Sequence, residues 1–271
     1  MTRIGFAALA VALSVPASAG VVLQYEDNEK TQTTLEIEGK KFRSTSEGGG
    51  HDGHSIIFDG DKHIFYSLDD KTKSYRRMDE ASGAEMAKGI KDAMEKAKAN
   101  MTPEQRAQME AFMAKRNKAQ VEQEPATHHS WTFERTGGGQ KVAGYSCDNY
   151  RVLRDGKLES EGCFVPWGAG PFRKDDFQAF QEMGRFFEKT FAAMSANLGR
   201  DARSPRSDDW LTHFVDTAPG FPASMDRVDK EGKPTHQMRL TKIERASPSA
   251  SRFVPPADYN EKSMNMRGGN E

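Results

Sequence analysis

Cysteine is scarce in this chain: 271 residues contain two, Cys147 and Cys163. No CxxC pair occurs, which excludes a thiolate zinc site and a dithiol redox motif. A surplus of one charge is missing as well. Thirty-nine Lys and Arg face 40 Asp and Glu, for a formal net charge of −1. The two signs are interspersed, so no nucleic-acid footprint is present. After residue 19 no run approaches the roughly 20 apolar residues that span a bilayer as a helix. There is no P-loop, no HExxH and no GxSxG, and no nucleophile–base pair is signalled. Gly48-x-Gly50-x-x-Gly53 has the letters of a dinucleotide fingerprint, but a strand follows it where a helix is required. It reads as a hairpin loop. These absences argue against an enzyme, and no cofactor is expected.

What is present starts with an export pattern. Arg3 supplies a positive n-region, Ile4 to Val15 an apolar stretch, and Ala17-Ser18-Ala19 a small-residue cleavage site. Residues 1–19 therefore read as a signal peptide cleaved near Ala19, and the expected location is periplasmic or secreted. In that compartment the two cysteines can pair.

From Val21 to Met78 short β-rich segments alternate with turn residues. Val21-Val-Leu-Gln-Tyr25, Thr31 to Ile37, Phe42-Arg43, Ser55 to Phe58, His63 to Tyr66 and Ser74 to Met78 are separated by Gly39, the glycine loop, Asp59-Gly60-Asp61 and Asp69-Asp70-Lys71. That spacing predicts an antiparallel meander.

The period then changes to that of a helix. Met86, Ile90, Met94, Ala97 and Met101 share one stripe. Thr102-Pro103-Glu104-Gln105 predicts a restart, with Thr as N-cap, Pro in the first turn and Gln closing a capping box. Met109, Phe112 and Met113 continue the apolar face. A second insertion carries Phe177, Phe180, Met183, Phe187, Phe191, Met194 and Leu198 on one stripe. Strands resume between the insertions, at Trp131 to Phe133 and Lys141-Val142. They resume again after them, at Phe221 to Arg227 and Gln237 to Arg245.

Cys147 and Cys163 flank the turn Arg154-Asp155-Gly156. A three-residue loop with Gly156 left-handed would pair Leu153 with Lys157 and set Cys147 directly opposite Cys163. Opposed Cα atoms about 4.5 Å apart are within disulfide range.

Val142-Ala-Gly144-Tyr-Ser-Cys147-Asp-Asn-Tyr150-Arg-Val152, with Asp155-Gly156 and Cys163 after it, resembles a family of secreted bacterial domains of unknown function, the DUF4412 group. Ser74-Tyr75-Arg-Arg-Met78, Thr102-Pro-Glu-Gln-Arg106, Gly220-Phe-Pro222, Leu240-Thr-Lys-Ile243 and Phe253-Val-Pro255 extend the resemblance over nearly all of the chain after the leader. Proteins of this family are similar in architecture to the periplasmic lipoprotein-carrier fold, a bent antiparallel sheet that cups helices and an apolar cavity. The resemblance implies no catalytic residue.

The expected fold is therefore α+β: a strongly curved antiparallel sheet, half-barrel and lipoprotein-carrier-like, packed on Met-rich and Phe-rich helices. One domain is expected over residues 20–259, with helical insertions at about 80–122 and 175–199, and a disordered tail over 260–271. Three readings of the Met stripe stand: core packing, an adaptable apolar groove, and thioether ligation of Cu(I). On the groove reading Met94, Met101, Met109, Phe180, Phe187 and Phe191 would line a site for an apolar small molecule, a lipid or a lipidated peptide. The alternative is a Met/His-based periplasmic metal-binding or envelope-stress protein, with His51, His54 and His63 as ligands.

Overall fold

Turn chemistry sets the strand lengths. In the computed structural model, residues 20–49, 53–112, 130–170, 172–197, 215–229 and 231–263 are described, apart from the side chains of Met94, Phe191 and residues 193–197. Aspartate opens hairpin after hairpin. Asp27 Oδ1 accepts the amides of Glu29 and Thr31, each at 2.8 Å, and Asp229 Oδ1 accepts those of Glu231 and Lys233 at 2.9 and 2.8 Å. Asp59 and Asp69 hold amides two and three residues ahead in the same way. Such Asx bonds satisfy turn amides that no strand can reach. The left-handed position in the first loop is Lys30 (φ 65°), where the equivalent loop has Gly232 (φ 78°).

Six strands follow in sequence: β1 (Gly20–Asp27), β2 (Gln32–Glu38), β3 (Lys41–Glu47), β4 (His54–Asp59), β5 (Ile64–Asp69) and β6 (Ser74–Asp79). After helix α1 (Glu80–Ala99) come β7 (Trp131–Val142), β8 (Tyr145–Arg154) and β9 (Lys157–Pro166). Helix α2 (Gln178–Asn197) then precedes β10 (Gly220–Val228), β11 (Pro234–Ala246) and the short β12 (Asn260–Glu261). All join one 12-stranded sheet in the order β12-β6-β5-β4-β3-β2-β1-β11-β10-β9-β8-β7. Every pairing is antiparallel except β12 with β6. The sheet is open but strongly curved. Three strands separate β7 from β11, about 19 Å on a flat sheet, yet the two touch. Bulges in β7, β9, β10 and β11, one of those in β11 lying opposite Gln24 and Tyr25, supply the bending.

The cystine forms, with a register that differs from the expectation. Asp155 and Gly156 both have positive φ (52° and 74°), so the turn has two residues and Arg154 pairs with Lys157. A bulge between Val152 and Leu153 adds a further offset, and Cys163 lies opposite Asn149. One residue from the turn and one from the bulge sum to two, the side-chain period of a strand, so both cysteines still share a face. They bond diagonally with Cα atoms 5.4 Å apart, and both are buried.

The main core lies on the inner face, under α2. Phe42, Phe58, Phe65 and Met78 are consecutive cross-strand partners from β3 to β6. Above them α2 sets ring on ring: Phe180 on Phe42 (5.2 Å between centroids), Phe186 on Phe58 (5.7 Å) and Phe187 on Phe65 (5.2 Å). A 3-10 turn, Lys174–Phe177, leads into the helix and buries Phe177 against Phe221 at 4.8 Å. Each buried ring contributes about 1.5–3 kcal/mol. Arg245 grips Asp176 with two hydrogen bonds of 2.9 and 2.7 Å, which fixes the start of this segment to β11.

Helix α1 reaches the sheet mainly through α2. Asp79 and Ser82 form a reciprocal capping box that starts it directly after β6. Gly83 lies so close to the Thr190 carbonyl that a Cβ there would sit 2.7 Å from the oxygen, and Ala87 is fully buried. Beyond Ile90 most described side chains of α1 are exposed. Thr102 and Gln105 exchange cap bonds of 3.0 and 3.3 Å, and helical residues 103–112 follow, tied back by Arg106 to the Lys98 carbonyl.

The outer face of β3–β6 carries a second, smaller cluster, Ile57, Leu68 and Phe253. The C-terminal segment covers it. Arg252 pairs with Glu36, and Tyr259 donates to Asp70 at 2.8 Å. Burial and that bond to a carboxylate both raise the Tyr259 pKa. Asn260–Glu261, expected to begin a disordered tail, instead add a parallel strand to β6, because Asn260 donates to the Lys73 carbonyl and Lys262 to that of Tyr75. Residues 264–271 lie outside the described part.

Candidate functional site

The inner face has two zones. Where α2 lies, the sheet is aromatic and closed. Past it the floor changes to Leu35, Ile56, Met225 and Met238, all half-buried, and then to polar side chains. Strand alternation places Tyr25 in β1, Thr33 in β2, Ser46 in β3 and Met238 in β11 on this same face. With Asp27, Thr31 and His236 they line a cleft of about 260 Å³.

Local structure accounts for each wall. Tyr25 is buried and donates to the Pro222 carbonyl at 3.1 Å, so its phenol is fixed and burial pushes its pKa well up. Thr33 and Ser46, direct cross-strand partners, share a 3.2 Å hydrogen bond. Asp27 caps its turn through Oδ1. Desolvation would raise its pKa, but the Thr31 and Glu29 bonds and nearby His236 outweigh that and hold it low. Thr31 is 5% exposed, and its hydroxyl lies beside the Asp27 carboxylate without closing a hydrogen bond of ordinary geometry. Gly49 (φ 58°) roofs this hydroxyl so closely that a Cβ there would overlap it. Sequence reasoning did not find this cleft. Its residues come from the ends of β1, β2, β3 and β11, and no local motif marks them.

The expected ligand-lining residues divide. Phe180 and Phe187 stand on the inner face, half-buried, already paired with Phe42 and Phe65. Met101 and Met109 are half-buried in the segment past α1 and are not among the side chains packed on the main core. The side chains of Met94 and Phe191 lie outside the described part. Of the described members, then, Phe180 and Phe187 alone pack on the main core.

The expected metal ligands are not brought together either. His54 begins β4 opposite Asp69, whereas His63 follows the turn at the other end of that strand, about 20 Å away. His63 Nδ1 is 3.0 Å from Glu80 Oε1 at the start of α1. His51 lies outside the described residues. Among the described residues no group of three or more His, Cys, Asp or Glu side chains converges. No described helix is long and apolar enough to cross a membrane.

Among solved structures, the chain is similar to an uncharacterized conserved protein from Thermus thermophilus, at 8% identity and a TM-score of 0.44, with 91% of each chain covered. It is also similar to the MucA/MucB complex structure of Pseudomonas aeruginosa, at 10% identity and a TM-score of 0.35, covering 90% of this chain and 58% of that one. A structure of MucB alone scores 0.35 at 8% identity, covering 90% of this chain and 59% of that one. No curated protein sequence matches. A family model for a domain of unknown function, DUF4412, matches residues 77–259, from β6 to the outer-face clasp, and the chain belongs to that family.

Proposed function

We propose that this is an exported, non-enzymatic binding protein that holds an apolar ligand, a lipid or a lipidated peptide, on the inner face of its sheet. The observation that carries the reading is the division of that face. Helix α2 covers one zone with phenylalanine rings, and the adjoining zone of Leu35, Ile56, Met225 and Met238 stays half-exposed next to a cleft. Half-buried Phe180 and Phe187 on α2 are the rings a ligand would displace or join. Dispersion and burial offered by a ligand chain are of the same kind as those these rings already make, so exchange between them needs no new chemistry. The buried cystine and the N-terminal leader pattern support export.

The test is native mass spectrometry of the protein purified from its own cell envelope, followed by titration with the fluorescent apolar probe N-phenyl-1-naphthylamine. A bound lipid-sized mass and saturable probe binding that weakens in Phe187→Ala are the expected results. Ligand-free protein that takes up no probe would overturn the reading.

A further inference from the structure

Resting on that binding reading, we propose that the cleft at the end of the inner face is the polar end of the ligand site and takes an ammonium group carried on an apolar chain. The cleft is built for a donor. Asp27 spends Oδ1 on two turn amides, and no described residue hydrogen-bonds its other oxygen. The Thr31 hydroxyl beside it is buried under Gly49 and forms part of the wall. Thr33 and Ser46 bond to each other and keep acceptor lone pairs. His236 completes the polar wall of the cleft. Among the described residues no Lys or Arg lines the cleft, so none of them neutralises the carboxylate there. The nearest turn cation, Lys30, is engaged by Glu26 at 2.8 Å.

An ammonium brings three donors and one positive charge to this set. A cleft of about 260 Å³ accepts such a head and a few carbons, and Met238 lines it at the side where Met225 and Leu35 continue the floor. Ligand chemistry follows from this order: cationic amine at the cleft, apolar stem towards α2. A carboxylate head would meet Asp27 as a like charge, and an alcohol would supply one donor without charge.

The experiment is displacement of N-phenyl-1-naphthylamine from the mature chain by decylamine, decanol and decanoate. Decylamine is expected to compete at least tenfold better than decanol, with decanoate weakest. Asp27→Asn keeps the Oδ1 acceptor for the turn and should abolish the amine advantage while leaving decanol unchanged. Met238→Lys, which places a cation in the cleft without touching the turn, should reverse the order in favour of decanoate. Equal competition by the three ligands, or an amine preference that survives both variants, overturns this assignment with the binding reading intact. Failure of the probe itself to bind removes the binding reading and this inference with it.

Discussion

Helices α1 and α2 are each 20 residues long and each carries an apolar stripe at helical spacing, yet they do different jobs. Helix α2 is part of the core. It enters through a 3-10 turn fixed by Phe177 and the Arg245–Asp176 pair, and it lays three rings on a ladder of three sheet residues. Among the described residues, helix α1 is attached near its start, by the Asp79 cap and by Gly83 and Ala87 against α2, and most of its later described side chains face solvent. An amphipathic period states that a helix has an apolar side. It does not state what lies against that side.

The contrast can be broken most forcefully under α2. Phe58 is fully buried between Phe42 and Phe186, so Phe58→Ala should cost about 3–5 kcal/mol and lower the unfolding midpoint of the whole chain. Chemical denaturation followed by both near- and far-UV circular dichroism measures this; loss confined to helix signal would mean that α2 is not core. Next in size is Gly83→Val, whose side chain must collide with the Thr190 carbonyl. About 1–3 kcal/mol of overpacking should unseat α1 and leave the sheet intact, seen as faster amide exchange in residues 80–99 alone.

Removing the N-terminal cap of α1 is milder. Asp79→Ala should cost about 1 kcal/mol, read as a lowered midpoint and early exchange in the first turn of α1. Acid should act at the same place. Partial burial would raise the Asp79 carboxyl, but hydrogen bonds from Ser82 and the nearby Arg77 hold it below the ordinary 3.8. Its contribution is thus complete above that value and is lost as pH falls through the depressed folded value. Exchange in α1 should therefore rise in acid before exchange in α2 does. The smallest effect is expected at Met109→Ala: within about 0.5 kcal/mol in denaturation and no change in probe affinity, since this thioether is not among the side chains packed on the main core.

Much of the scaffold could be read from the residues. Asp59, Asp69 and Asp229 announce turns because a short carboxylate bonds the amides just ahead of it, and the Thr102–Gln105 box marks a helix restart by equally local chemistry. The cysteine partners were legible as well, though their register was not. A two-residue turn and a bulge each moved the pairing by one; Asp155-Gly156 carries the Asp-Gly signature of such a turn, whereas the bulge leaves no mark in the letters around Cys147 and Cys163. Residues 260–271 were expected to be disordered. The pairing of Asn260 and Glu261 comes from backbone bonds to the exposed edge of β6, which depend little on side chains.

Local composition, then, was enough to establish the alternation of strands, the turn positions, the two helical stripes and the cystine, since each arises within a short stretch of chain, the cystine across one hairpin with a separation of 16. Which stripe meets the sheet, how the C-terminal segment clasps the outer face, and where Asp27, Thr31, Ser46 and His236 converge were settled by folding. Those contacts join β1 to β10 and β11, and β3 to the C-terminal segment, positions about 200 apart in sequence, as in the bonds from Tyr25 to Pro222 (separation 197) and from Arg43 to Arg252 (209). No property of a short window encodes a pairing over that distance. It exists once the bent sheet has brought its middle and its ends to one surface.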